Sequence, residues 1–141
     1  GYFDGRTDHW KQKREMGGGV MLDMGVYAIQ GARLGTGMEP LSVVSAQTST
    51  TRPEIYKDGL AETATAVLEF PGGVMANIKT SFGENINFLN IHCEKGDIKM
   101  EPYSGYAGKP MLVPGEEGQR DIRIVEAILR SAATGQAVSL V

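Results

Sequence analysis

The sequence predicts a single α+β domain, and three observations carry that prediction. A stripe of helical period lies in the first third of the chain, two hairpins with period-two alternation fill its middle, and a second helical stripe followed by a short apolar tail closes it. The length of 141 residues with 41% apolar content fits one domain with a real core and does not fit two large ones.

The elements follow in order. Gly1 to Glu15 contains Asp4-Gly5, a basic run after Trp10 and no apolar periodicity, so it reads as an entering loop cut from a longer chain. From Val20 to Leu34 the residues Val20, Met21, Met24, Ala28, Ile29 and Ala32 recur at separations of three and four, which predicts a helix of about four turns. Gly17-Gly18-Gly19 precedes it, Asp23 suits its early turns, and Gly35, Gly37 and Pro40 end it. Gly25 and Gly31 inside it cost roughly 1 kcal/mol each relative to alanine, so close backbone approach is expected there.

Leu41 to Thr50 is rich in β-branched residues and reads as a strand. Ala64, Ala66, Leu68 and Phe70 alternate with Thr63, Thr65, Val67 and Glu69, Pro71-Gly72-Gly73 turns the chain, and Val74 to Phe82 repeats the alternation. Ile86 to Cys93 and Asp97 to Met100 form a second hairpin about Glu94-Lys95-Gly96, giving four or five antiparallel strands with one apolar and one mixed face. Pro102 to Pro114 reads as loop. Glu116-Glu117 then opens a helix with Ile122, Val125, Ile128, Leu129 and Ala132 as its apolar stripe, Gly135 ends it, and Ala137 to Val141 is a short closing strand.

Charge and composition exclude several functions. A net charge of -3 with both signs interspersed gives no electrostatic footprint for nucleic acid. No apolar run approaches the roughly 18 to 20 residues of a membrane span, and the start lacks the features of a signal peptide. One cysteine, Cys93, makes no internal disulfide, which points to a reducing, cytoplasmic setting. His9 and His92 have no partner at metal-ligand spacing, so no metal site is expected.

The densest chemistry lies in Gly17-Gly-Gly-Val-Met-Leu-Asp23-Met-Gly-Val-Tyr27. Asp23 and Tyr27 are four apart and share a helix face, where a carboxylate beside a phenol can fix a substrate hydroxyl and relay its proton. The same two residues also read as a helix-start carboxylate and an inward-packed ring. The triglycine lacks the Gly-Lys-Ser/Thr ending of a phosphate loop, and no Gly-x-Gly-x-x-Gly occurs in the chain, so no cofactor-binding residue is assigned. Trp10, Lys11 and Arg14 are candidates for binding a sugar or anion or belong to a solvated loop. Arg33, a further substrate-binding candidate, either bonds the end of its helix or meets a partner.

Together these segments resemble the glucose-fructose oxidoreductase-like branch of the Gfo/Idh/MocA oxidoreductases. The resemblance runs from Trp10 through Gly17 to Arg33, Gly37-Met-Glu-Pro40, Arg52-Pro-Glu54, Glu62-Thr63 and Leu68 to Gly73, to Pro114-Gly-Glu-Glu-Gly118 and Arg120 to Gly135. It implies the family's C-terminal domain, an open, mainly antiparallel sheet with helices packed on one face, here without the Rossmann domain. It implies catalytic roles for Asp23 and Tyr27, an aldose or polyol substrate, and assembly as a homo-oligomer through the open sheet face. NAD or NADP is implied for a full-length parent and no cofactor for this chain alone, which is expected to be inactive by itself. The family's Lys of the Glu-Lys-Pro motif has no counterpart here. Only a few residues separate the regions matching Tyr103 to Gly108 and Pro114 to Glu117, so an internal helix of relatives, near 108–113, is expected to be missing. Residues 1–141 then form one substrate-binding and oligomerisation domain. The alternative is a non-catalytic, sheet-mediated assembly or binding module that keeps the fold.

Overall fold

The computed structural model describes residues 8–101 and 115–141. The loop expected over Pro102 to Pro114, with the question of a missing helix, lies outside the described residues, as does the very start of the chain.

Four strands, β1 (Ser42–Ser49), β2 (Thr63–Glu69), β3 (Met75–Ser81) and β6 (Val138–Ser139), form an antiparallel sheet in the order β3-β2-β1-β6. Helices α1 (Val26–Thr36) and α2 (Gly115–Thr134) supply the apolar residues that meet one face of it. On β2 the alternation is realised residue by residue: Ala64, Ala66 and Leu68 are buried and Thr63, Thr65, Val67 and Glu69 half-buried. Gly72 and Gly73 turn the chain into β3 with φ of 75° and 77°, a left-handed backbone that glycine adopts without cost. On β1 a bulge between Val43 and Ser45 lets Val43 and Ala46 both face the core although they are three apart, and Val44 is exposed.

Two expectations need correction. The second hairpin, β4 (Leu89–Cys93) and β5 (Gly96–Met100), pairs with itself as a separate two-stranded sheet, and Ile86 to Phe88 lie before β4. It touches α1 where a Cβ on Gly35 would stand 2.8 Å from Ile91 Cδ1. The apolar stripe of α2 is also rotated: Asp121, Ile124, Val125, Ala127, Ile128 and Ser131 are buried, whereas Ile122 and Leu129 are 39% and 38% exposed. The reason is that Asp121 faces inward to meet Arg33, which a count of apolar residues cannot register.

The loop between β1 and β2 carries unexpected core. Tyr56 and Leu60 are buried, and Tyr56 stacks on Phe82 with ring centroids 5.8 Å apart. Glu62, also buried, accepts from Thr51 N (2.9 Å), Thr51 Oγ1 (2.8 Å), Arg52 N (3.2 Å) and Arg52 Nε (2.8 Å). Burial pushes its carboxyl up, but the Thr51 and Arg52 donors outweigh burial and hold it below the usual range.

Candidate functional site

The helix that carries Asp23 does not start as a regular one. Met21–Gly25 forms a π turn that runs straight into α1, a departure from the four-turn α-helix the spacing suggests. Gly25 fits there because the Met21 thioether folds over it, Cε lying 2.5 Å from where a Cβ would sit. Gly31 is buried on α1. The π turn and α1 bring Asp23 and Tyr27 to one groove, which continues past β3 to the segment 83–88.

The entering segment is ordered into two short 3-10 turns, Trp10–Gln12 and Arg14–Met16. His9 caps the first: its Nδ1 accepts from Lys11 N at 3.3 Å, and its own N–H is bonded to Oε1 of the buried Gln12 at 2.7 Å. Lys11 Nζ meets Asp23 Oδ1 at 2.6 Å and lies 5.5 Å from the centroid of the half-exposed Trp10 ring. Arg14 donates to Gly59 O at 3.1 Å, tying this segment to the β1–β2 loop.

The triglycine is engaged in holding this segment. Gly17 N–H donates to Arg14 O (3.1 Å), Gly18 N–H to Lys13 O (2.9 Å) and Gly19 N–H to Lys11 O (3.0 Å). With all three N–H groups committed internally, it has no cradle to offer a cofactor's phosphates. Among the described residues no three His, Cys, Asp or Glu side chains converge as a metal-binding group.

Arg33 is placed elsewhere, at the junction of α1 and α2. It is 8% exposed and donates to Glu39 (Nε–Oε2 3.0 Å, Nη2–Oε1 2.6 Å), to Glu117 Oε2 (2.6 Å) and to Asp121 Oδ1 (2.7 Å). The hydrogen bond from Arg33 holds the Glu39 carboxyl low, while burial pushes Asp121 up against the pull of Arg33. Of the sequence candidates, then, Lys11, Asp23 and Tyr27 line one groove with Trp10 beside it, and Arg14 and Arg33 make contacts that join elements of the fold. The groove also includes Glu84, Asn85 and Asn87, which sequence reasoning passed over. The polar run Gly83-Glu-Asn-Ile-Asn87 was the available signal.

The sequence model of the GFO/IDH/MocA C-terminal domain matches residues 1–99. The chain belongs to that family. Among solved structures it is similar to aldose-aldose oxidoreductase from Caulobacter crescentus complexed with glycerol, with a TM-score of 0.85 and 26% identity over 95% of this chain and 51% of that one. Similarity extends at the level of fold to myo-inositol 2-dehydrogenase from Lactobacillus plantarum (TM-score 0.59, 21% identity, 86% of this chain and 48% of that one). It extends likewise to scyllo-inositol dehydrogenase from Lactobacillus casei with bound NAD(H) and scyllo-inositol (TM-score 0.58, 18% identity, 86% and 48%). The chain spans about half the length of these structures. Its α+β fold, an antiparallel sheet with two helices, is that of the family's C-terminal domain, and the described residues contain no Rossmann part. No helix among the described residues is long and apolar enough to cross a membrane.

Proposed function

We propose that this chain is the substrate-binding half of a NAD(P)-dependent oxidoreductase of aldoses or polyols, silent in hydride transfer until a nicotinamide-binding domain accompanies it. The observation that carries the reading is the groove that Asp23 shares with Tyr27, with the Asp23 carboxylate already paired to Lys11. A carboxylate accepts a hydroxyl's hydrogen bond and the phenol both accepts and donates, so the two can orient a carbinol and take up the proton its oxygen releases. A nicotinamide, held outside this chain, supplies the hydride acceptor. Trp10, half exposed beside Lys11, offers ring surface to a sugar, whereas the contacts of Arg14 and Arg33 favour structural duties for both.

Assembly belongs to the same proposal. The sheet face away from the helices presents Ser45, Gln47, Thr65, Val67, Asn77 and Lys79, a mixed surface suited to a second copy, and these residues also line the groove of Asp23 and Tyr27. The competing reading, an assembly module without chemistry, rests on this face and on the lack of a dinucleotide fingerprint in the sequence.

A titration of glycerol, D-xylose and myo-inositol followed by amide and aromatic NMR, beside a fluorescence titration of NADH and NADPH, separates the two. The expected result is polyol-induced shifts at Asp23 and Tyr27 with no saturable dinucleotide binding. Saturable NADH binding would overturn the division of labour, and polyols that leave Asp23 and Tyr27 unmoved would favour the assembly module.

A further inference from the structure

We propose that Lys11 is a positioning residue for Asp23, and that Gly17-Gly18-Gly19 is the clasp that seats it. This rests on the reading of Asp23 as a substrate-holding group. One residue, Gly19, holds both partners: its N–H donates to Lys11 O at 3.0 Å and its carbonyl accepts from Asp23 N at 3.2 Å. The Lys11 and Asp23 backbones are thereby fixed relative to one another before their side chains meet. Gly19 stands at φ 113°, where side chains are strained, and Val20 N–H behind it is anchored on Ala61 O at 3.3 Å.

Gly18 explains why the segment must be closely packed. A Cβ there would stand 2.5 Å from Lys11 O and 2.6 Å from Lys13 O, both backbone atoms that cannot swing aside. Any side chain at 18 pushes the Lys11 turn outward and with it the ammonium. From the other side the His9–Gln12 capping box fixes the same turn, with Gln12 buried. The ammonium and carboxylate are only 20% and 17% exposed, so their 2.6 Å contact is partly shielded from solvent competition. With Oδ1 held by Lys11, Asp23 keeps one orientation and turns Oδ2 to a substrate hydroxyl; the ammonium acts through Asp23.

The test uses the chain with Lys11→Met, Lys11→Arg, Gly18→Ala and Asp23→Asn. Without ligand, the Asp23 carboxyl carbon resonance is followed by NMR; with ligand, affinity is read by titrating glycerol, D-xylose and myo-inositol. The expected outcome is that Gly18→Ala moves the Asp23 carboxyl signal in the same direction as Lys11→Met, with Lys11→Arg returning it toward the parent. Polyol affinity should fall about fivefold in Lys11→Met, the scale of a well-held ion pair, and recover in Lys11→Arg. An unmoved Asp23 signal in Gly18→Ala overturns the clasp whatever the ligand does. Unchanged affinity in Lys11→Met beside a loss in Asp23→Asn overturns the positioning role and leaves the functional reading standing. Unchanged affinity in Asp23→Asn itself brings down the functional reading, and the positioning role with it.

Discussion

Replacing Arg33 by methionine removes the cation on which three carboxylates converge while keeping most of the apolar stem. The consequence divides by exposure. The Arg33–Asp121 pair is enclosed, both side chains being 8% exposed, so removal strands a buried carboxylate, a loss of about 3 to 5 kcal/mol. Glu117 and Glu39 are 35% and 54% exposed and can turn to water, so each adds at most about 1 kcal/mol. Relief comes from protonation of Asp121, whose carboxyl burial already pushes up. The expected net is about 3 kcal/mol, which at a slope of about 2 kcal/mol per molar urea lowers the unfolding midpoint by about 1.5 M. Urea titration followed by far-ultraviolet circular dichroism at pH 7 measures it. Adding Asp121→Leu to Arg33→Met should recover more than half of the loss, since an apolar pair removes the stranded charge. A midpoint lowered by less than about 0.5 M in the single variant would refute the argument, because the pair would then be worth no more than a surface contact.

Two further predictions address the loop and the rotated helix. Because the Glu62 carboxyl titrates below its ordinary value, the folded chain binds fewer protons there than the unfolded one; its contribution is present above the ordinary value of 4.5 and is lost as pH falls through the folded pKa. Glu62→Gln should therefore cost about 1 to 3 kcal/mol at pH 7 and flatten the acid limb of stability below about pH 4.5, read from urea midpoints across pH; parallel acid limbs for parent and variant would remove Glu62 as a source. On α2, Ile128→Ala should destabilise by about 2 to 5 kcal/mol and Leu129→Ala by less than about 1 kcal/mol in the same assay, and comparable losses at the two positions would mean that the helix presents the stripe read from sequence, which holds both.

The elements of the main sheet were legible because their burial is one-sided: β2 alternates residue by residue, and Pro71-Gly72-Gly73 can only turn. The hairpin β4–β5 was legible as a hairpin, since its register follows from its own turn, but its separation from the four-stranded sheet was not. The resemblance brought Arg52-Pro-Glu54 and Glu62-Thr63 forward as fragments without saying what joined them. The structure joins them as an ion pair, Arg52 Nη2 to Glu62 Oε1 at 2.7 Å, on which the β1–β2 loop is wrapped. For the site, local spacing brought Asp23 and Tyr27 forward, and the structure lines one groove with both, Asp23 from the π turn and Tyr27 from the first turn of α1. Lys11 reaches Asp23 through a turn of three glycines, which composition marks as unusual without indicating what it encloses.

The sequence by itself determined the α+β class and the order of helices and strands, which follow from periodicities that a chain carries locally. The tertiary structure alone decided the inward face of α2, the role of Arg33 and the pairing of Lys11 with Asp23. Each depends on where a polar side chain finds its partner. Arg33 and Asp121 are 88 residues apart along the chain and are buried together only because each satisfies the other, and no pattern of apolar residues contains that information.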